Sequence, residues 1–275
     1  MAANVRRLIA IPCASETLVA TLDDAAGRTG LLIVSGGNEI RCGAHRGMAM
    51  LAQALAGRGV PVLRYDRRGI GDSTGLNAGF EGSTDDMAAA VAALRANGVT
   101  RVVGFGNCDA ASALALFHAD TGIDALVLSN PWIGGSDDAL PQAAAIRARY
   151  AERLRSPREW LRLLRGGVNL RKLAGGLAKA VRSEDTGLLS RMAASLRASG
   201  VPVTILLAVR DNTAVAFADA WATLPGRPDV RQEARDSASH SYAGEGDFTW
   251  LLEQVLRATH APAQAVAQSR SRTTP

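Results

Sequence analysis

An α/β fold, with a mostly parallel central sheet flanked by helices and a helical cap insertion, is predicted by three observations. From residue 30 to residue 132 apolar strand-like runs alternate with helical stretches. Strands joined through helices in this way build a parallel sheet covered on both faces. Apolar residues make up 47% of the 275 and charged residues 21%, the balance of a globular chain with a sizeable core. Between 137 and 199 the alternation stops, and helical runs follow one another with no strand between them. The core is therefore assigned to 1–136 and 200–260 and the insertion to 137–199. A polar, aperiodic tail over 261–275 is expected to be disordered.

The elements follow in order. Val5–Pro12, Thr17–Leu22 and Gly30–Val34 read as strands, the third running into Ser35-Gly36-Gly37-Asn38. Adjacent glycines at a strand's carboxyl end either form an ordinary tight turn or let backbone N–H groups face a ligand. Gly43–Arg58 reads as a helix, with Met48, Leu51, Ala52 and Leu55 at helical spacing. The strand Val60–Asp66 opens into a loop of turn formers, Arg67–Gly75, where Asp66, Asp72 and Arg68 are expected to brace the loop. A helix over 84–97 takes Ser83 or Thr84 as its N-cap. The strand from Arg101 then turns sharply at Gly106-Asn107-Cys108-Asp109-Ala110 into another helix, and Ala125–Asn130 follows as a strand closed by Pro131-Trp132. Within the insertion, helices are predicted over Gln142–Ser156, Pro157–Leu164 and Asn169–Arg182. The sheet resumes at Val201–Val209, a helix spans Ala214–Leu224, Val230–Ala234 is the last strand, and Phe248–Thr259 is a closing amphipathic helix.

Several classes are excluded or disfavoured. No run of about 18 apolar residues occurs, so no membrane span is predicted. No signal-peptide segment is recognised, so a cytoplasmic location is expected. Three cysteines, Cys13, Cys42 and Cys108, give neither a disulfide framework nor a zinc site, and no cofactor or metal is expected. The net charge is +5. Between 142 and 182 the arginines and lysines are offset only by Glu152 and Glu159. A solvated helix face carries charge as a matter of course, yet so one-sided an excess also suits an anionic partner. Nucleic acid is disfavoured, because only Tyr150 and Trp160 interleave aromatics with the basic residues.

The chemistry centres on Gly106-x-Cys108-x-Ala110. This is the spacing of the nucleophile elbow G-x-S-x-G, with cysteine for serine and alanine for the last glycine. A free cysteine is as often a small core hydrophobe. What favours a reactive thiol is the company it keeps at other strand ends, in the chain order Cys108, Asp211, His240. His240 would take the thiol proton, Asp211 would hold the imidazole, and the helix beginning at Asp109 would favour thiolate. His118 lies down the elbow helix, and His260 begins the tail. Asp137 or Asp138 is an alternative acid. Backbone N–H groups of Asp109 and of Gly37 or Asn38 would bind an oxyanion. Arg41, His45 and Trp132 are candidates for lining the substrate pocket.

Four motifs carry a resemblance to a known superfamily. They are Gly36-Gly37-x-x-x-Arg41-x-Gly43-x-His45-Arg46, Arg64-x-Asp66-x-Arg68-Gly69-x-Gly71-Asp72-Ser73, Gly106-x-Cys108-Asp109-Ala110-Ala111-Ser112 and Asp211-x-Thr213-Ala214-x-x-Phe217. On these the chain resembles the α/β-hydrolases and, among them, the exosortase A system-associated hydrolases of the type 1 branch, up to about residue 258. The resemblance implies a hydrolase encoded beside exopolysaccharide and protein-sorting genes. The expected reaction is acyl transfer through an S-acyl-Cys108 intermediate, chiefly hydrolysis of a thioester or ester. The acyl group would be carried on coenzyme A or an acyl carrier protein, which the basic insertion would attract. Transfer to an amine or alcohol is the alternative within the same chemistry. A non-catalytic binding protein of this fold and a protein bound to anionic lipid are the alternatives outside it.

Overall fold

The computed structural model describes residues 5–134 and 186–261. The helices predicted over 142–182 and the tail beyond Ala261 lie outside these residues, as do Asp137 and Asp138. Eight strands form one sheet: β1 (Arg6–Cys13), β2 (Glu16–Asp23), β3 (Thr29–Val34), β4 (Val62–Tyr65), β5 (Arg101–Asn107), β6 (Ala125–Ser129), β7 (Val203–Ala208) and β8 (Arg231–Arg235). Their order is β1-β2-β4-β3-β5-β6-β7-β8. β1 pairs with β2, and β2 with β4, antiparallel; every later pairing is parallel.

The central strands read as unbroken apolar runs because both faces are covered. Alternate residues of β3 go to opposite layers. Leu31 and Ile33 pack with α1 (Gly47–Ala56) and α6 (Asp247–His260) through Leu51, Leu55, Leu251 and Val255. Leu32 and Val34 join the other layer with α2 (Thr84–Ala96), α3 (Asp109–Thr121), α4 (Thr186–Ser199) and α5 (Asn212–Thr223). Two differences from the sequence reading have local causes. The helix expected from Gly43 begins only at Gly47, after a 3-10 turn over Ala44–Arg46. Its residues His45 and Arg46 have φ of 52° and 61°, which an α-helix does not accommodate. Residues 186–199, assigned from the sequence to the insertion, form α4. Its Leu188, Leu189, Met192, Ala193 and Leu196 are buried in the cluster that also holds Leu114 and Ala115 of α3. That spacing is one apolar helix face, and it docks α4 against α3 as part of the layer covering the sheet.

Parallel register brings the carboxyl ends of the central strands side by side. Val34 of β3 is opposite Gly106 of β5, and Asn107 is opposite Ser129 of β6. The loops after β3, β5 and β6 therefore leave the sheet together, the place where ligands bind in open α/β sheets. No helix among the described residues is long and apolar enough to cross a membrane.

Candidate active site

The turn at Cys108 is as tight as its sequence requires. Cys108 sits between β5 and α3 with φ 60° and ψ −126°, a conformation that costs an L-residue on the order of 1–3 kcal/mol. Its N–H donates to Ser129 O at 3.0 Å, and its carbonyl accepts from Trp132 N–H at 3.2 Å. A Cβ on Gly106 would stand 2.7 Å from the Ala110 carbonyl carbon, so only glycine lets strand and helix approach this closely. Cys108 is half-buried, unlike Cys13, whose buried thiol donates to Asp86 at 3.5 Å. Burial, then the Asp86 charge, push the Cys13 thiol up to about 11, the behaviour of an inert core cysteine.

His240 and Asp211 meet Cys108. His240 Nδ1–H donates to Asp211 Oδ2 at 2.9 Å, and the imidazole interacts with Cys108 as well. These two interactions, Asp211 first, push the histidine from its ordinary 6.5 up to about 10 against the opposing effect of burial. Asp211 is also the N-cap of α5, accepting the Ala214 N–H at 3.1 Å. One carboxylate thus closes a helix and orients a histidine. His118 is buried and turned inward, with Nδ1–H donating to Leu114 O at 3.0 Å.

A polar network that sequence reasoning missed fixes the His240 loop from below. Asn107 Nδ2 and Asn130 Nδ2 each donate to the His240 carbonyl at 3.2 Å. Asn130 also donates to Asn107 Oδ1 at 3.1 Å, and its Oδ1 accepts Ala208 N–H at 2.9 Å and the Tyr242 hydroxyl at 3.3 Å. The strand ends of β5, β6 and β7 are joined to the histidine loop through one buried amide. Asn130 has φ 40°; asparagine's tolerance of left-handed backbone was the only signal available in the sequence.

The remaining residues singled out from the sequence divide in two. Around the elbow, the Asp109 carboxylate accepts the Gly37 N–H through both oxygens at 2.8 Å. A Cβ on Gly36 would stand 2.4 Å from Asp109 Oδ1, so the glycine pair is shaped around that carboxylate. The N–H groups of Asp109 and Asn38 have no partner among the described residues. Trp132, tied by its backbone to Cys108, packs edge-to-face on Phe80 with ring centroids 5.6 Å apart. Glu39 joins this group unforeseen. Its Oε1 accepts Ala44 N–H at 2.6 Å, and burial chiefly raises its pKa, with the Asp109 charge adding and His240 opposing.

Arg41 is not brought into this group. Its guanidinium bonds Asp66 and lies 3.2 Å from both Asp72 Oδ2 and Thr21 Oγ1, while its N–H donates to Asp66 Oδ1 at 2.6 Å. His45 stands exposed on the 3-10 turn. Arg68 pairs with Asp86, so the loop after β4 is braced as its composition predicts.

Comparison with known proteins assigns the family. Residues 28–220 match the family described as serine aminopeptidase, S33. The chain belongs to this family. It is a hydrolase of the α/β-hydrolase fold, with a cysteine at the elbow of a family named for a serine. Among solved structures, the Pyrococcus furiosus esterase Pf2001 is similar at 18% identity and a TM-score of 0.63, over 93% of this chain and 92% of that one. The α/β hydrolase GrgF from Penicillium sp. sh18 is similar at 14% identity and a TM-score of 0.62, over 93% and 98%. A proline iminopeptidase from Mycobacterium smegmatis follows at 17% identity and a TM-score of 0.55, over 92% and 99%. No curated protein matches the chain.

Proposed function

We propose that this S33-family hydrolase cleaves an ester or thioester by acyl transfer through Cys108. The supporting observation is the nucleophile candidate Cys108 on a strained elbow beside an imidazole held by the Asp211 carboxylate at 2.9 Å. His240 takes the thiol proton, so sulfur attacks as thiolate. The Sγ lone pair forms a bond to the acyl carbon, and the carbonyl π pair moves onto oxygen. Collapse of that oxyanion breaks the bond to the leaving group, which takes the proton from His240. His240, now neutral, removes a proton from water as it attacks the S-acyl carbon, and returns it to sulfur when the thiolate leaves. Asp211 keeps Nδ1 protonated throughout. Each backbone donor on the oxyanion is worth about 3 kcal/mol.

A thioester fits this site on chemical grounds, since attack exchanges one thiolate for another of similar basicity. The basic excess between 142 and 182 supports a phosphate-bearing carrier such as coenzyme A or an acyl carrier protein in the cytoplasm. The motif resemblance to exosortase A system-associated hydrolases supports cysteine as the working nucleophile of this branch. The test is intact-mass analysis after incubation with a panel of acyl thioesters and p-nitrophenyl esters. The wild type and His240→Ala should separate by rate, with the acyl adduct forming at least about 100-fold more slowly without the histidine. Cys108→Ala should show no adduct, and an adduct persisting there would refute the nucleophile.

A further inference from the structure

Arg67 is buried to 3% exposure. Among the described residues no carboxylate lies within ion-pair distance of it, and its Nε has no hydrogen-bond partner. A guanidinium is always charged, and removing one from water without a counter-ion is costly. The neighbouring arginines Arg41, Arg64 and Arg68 each reach an aspartate. The hydrogen bond that Arg67 does make runs from Nη2 to the Gly37 carbonyl, in the glycine loop after β3.

That carbonyl belongs to the peptide unit whose N–H is Asn38. All peptide bonds described are trans, so the Asn38 N–H points opposite to the Gly37 C=O. Sheet order defines the two sides. β3 lies between β4 and β5; Arg67 follows β4, and Cys108 follows β5. With its oxygen drawn toward the β4 side, the Gly37–Asn38 peptide turns its N–H toward the β5 side, where the elbow stands. The N–H one residue earlier, on Gly37, is held by the Asp109 carboxylate and is not open to a second acceptor. Gly37, at φ 50°, opens a tight turn closed by Glu39 N–H donating to Gly36 O at 2.9 Å.

We propose that the glycine loop's oxyanion donor is the Asn38 N–H, and that Arg67 is a positioning residue which orients and polarises it through the shared peptide. The Asp109 carboxylate pins the Gly37 end of the same loop, and the Asp109 N–H is the second donor. The inference rests on the reading of Cys108 as nucleophile. A cation bound to the carbonyl oxygen draws electron density from the amide and makes its N–H a stronger donor, as charge-assisted and chained hydrogen bonds are. As negative charge develops on the substrate oxygen, the effect grows, so it belongs to the transition state and not to substrate binding.

The experiment measures two reactions of Cys108 side by side. A peptide-like aldehyde forms a hemithioacetal in which sulfur bonds to the carbonyl carbon and the oxygen takes up the π pair, so its affinity reports the oxyanion donors. Iodoacetamide alkylates the same sulfur by displacing iodide and builds no oxyanion. Arg67→Met should weaken aldehyde binding and lower kcat for a p-nitrophenyl ester by about 10- to 100-fold, with KM changed little. Its alkylation rate should stay within about threefold of wild type, as the elbow itself is untouched. Arg67→Lys should recover part of the loss, since the ammonium keeps the charge without the planar fork. Should Arg67→Met fail to fold, Asn38→Pro removes the N–H from an exposed position and should weaken aldehyde binding to the same degree. Unchanged aldehyde binding in folded Arg67→Met or Asn38→Pro overturns the proposal, as does a parallel fall in alkylation. A wild type whose Cys108 forms no hemithioacetal overturns both this inference and the nucleophile it rests on.

Discussion

At the scale of the residue, the decisive feature is a histidine whose environment reverses its ordinary charge state. His240 is raised from 6.5 to about 10 by its interactions with Asp211 and Cys108. A group whose folded pKa lies above its unfolded value contributes stability fully below the unfolded value and loses it as pH rises through the folded one. The stability difference between the wild type and His240→Gln should therefore be largest below pH about 6.5 and disappear as pH climbs through about 10. Denaturant midpoints of the two proteins from pH 6 to about 10.5 check this; a difference that grows with pH contradicts it. In Cys108→Ala one of the two raising interactions is gone, and the imidazole should titrate lower than in the wild type, as histidine ring NMR would read.

At the scale of the element, two short segments do both structural and chemical work. Asp211 caps α5 through Ala214 N–H while it orients His240. Asn caps as well as Asp but carries no charge, so Asp211→Asn should leave thermal stability within about 0.5 kcal/mol while lowering kcat by roughly 100-fold or more. Asp211→Ala should add a loss of about 1 kcal/mol. Thermal melts alongside ester turnover separate the cap from the partner of His240. The elbow behaves differently. Because a Cβ on Gly106 meets backbone of α3 at 2.7 Å, no rotamer change relieves the contact. Gly106→Ala should destabilise by about 1–3 kcal/mol and displace Cys108 enough to slow its alkylation by iodoacetamide.

At the scale of the whole molecule, the sheet is held between two apolar layers, and α4 belongs to one of them. α4 returns the chain to the sheet through Leu189 and Met192, each at most 2% exposed, against α3. Leu189→Ala should cost about 2–4 kcal/mol, measured by denaturant unfolding. A value under about 0.5 kcal/mol, typical of an exposed site, would mean that α4 belongs with the insertion after all.

Much of this was legible in the sequence, and the reasons differ by residue. Strands β3, β5 and β6 announced themselves as unbroken apolar runs because burial on both faces forces that composition. The elbow was legible because its sterics admit only small residues at fixed spacing, and His240 stood out by its place after the last strand. α4 was not recognised, since 186–199 was assigned to the insertion without a helix of its own, and only packing ties such a segment to the core. Arg41 and Arg67 illustrate the limit most directly. Both are arginines beside a glycine-rich loop, and nothing local separates them; Arg41 is bound by Asp66 and Asp72, and Arg67 has the Gly37 carbonyl.

The sequence by itself determined the layered α/β architecture, the elbow at Cys108 and the chain order of acid and histidine. These depend on periodicity and on the steric demands of short segments, which are local. Only the tertiary structure decided which side chains meet. Asn107 and Asn130 on the His240 carbonyl, Asp109 on the Gly37 N–H, and Arg67 behind the same loop join residues from 30 to 133 positions apart. Such contacts follow from strand order and register, properties of the assembled sheet that no single segment encodes.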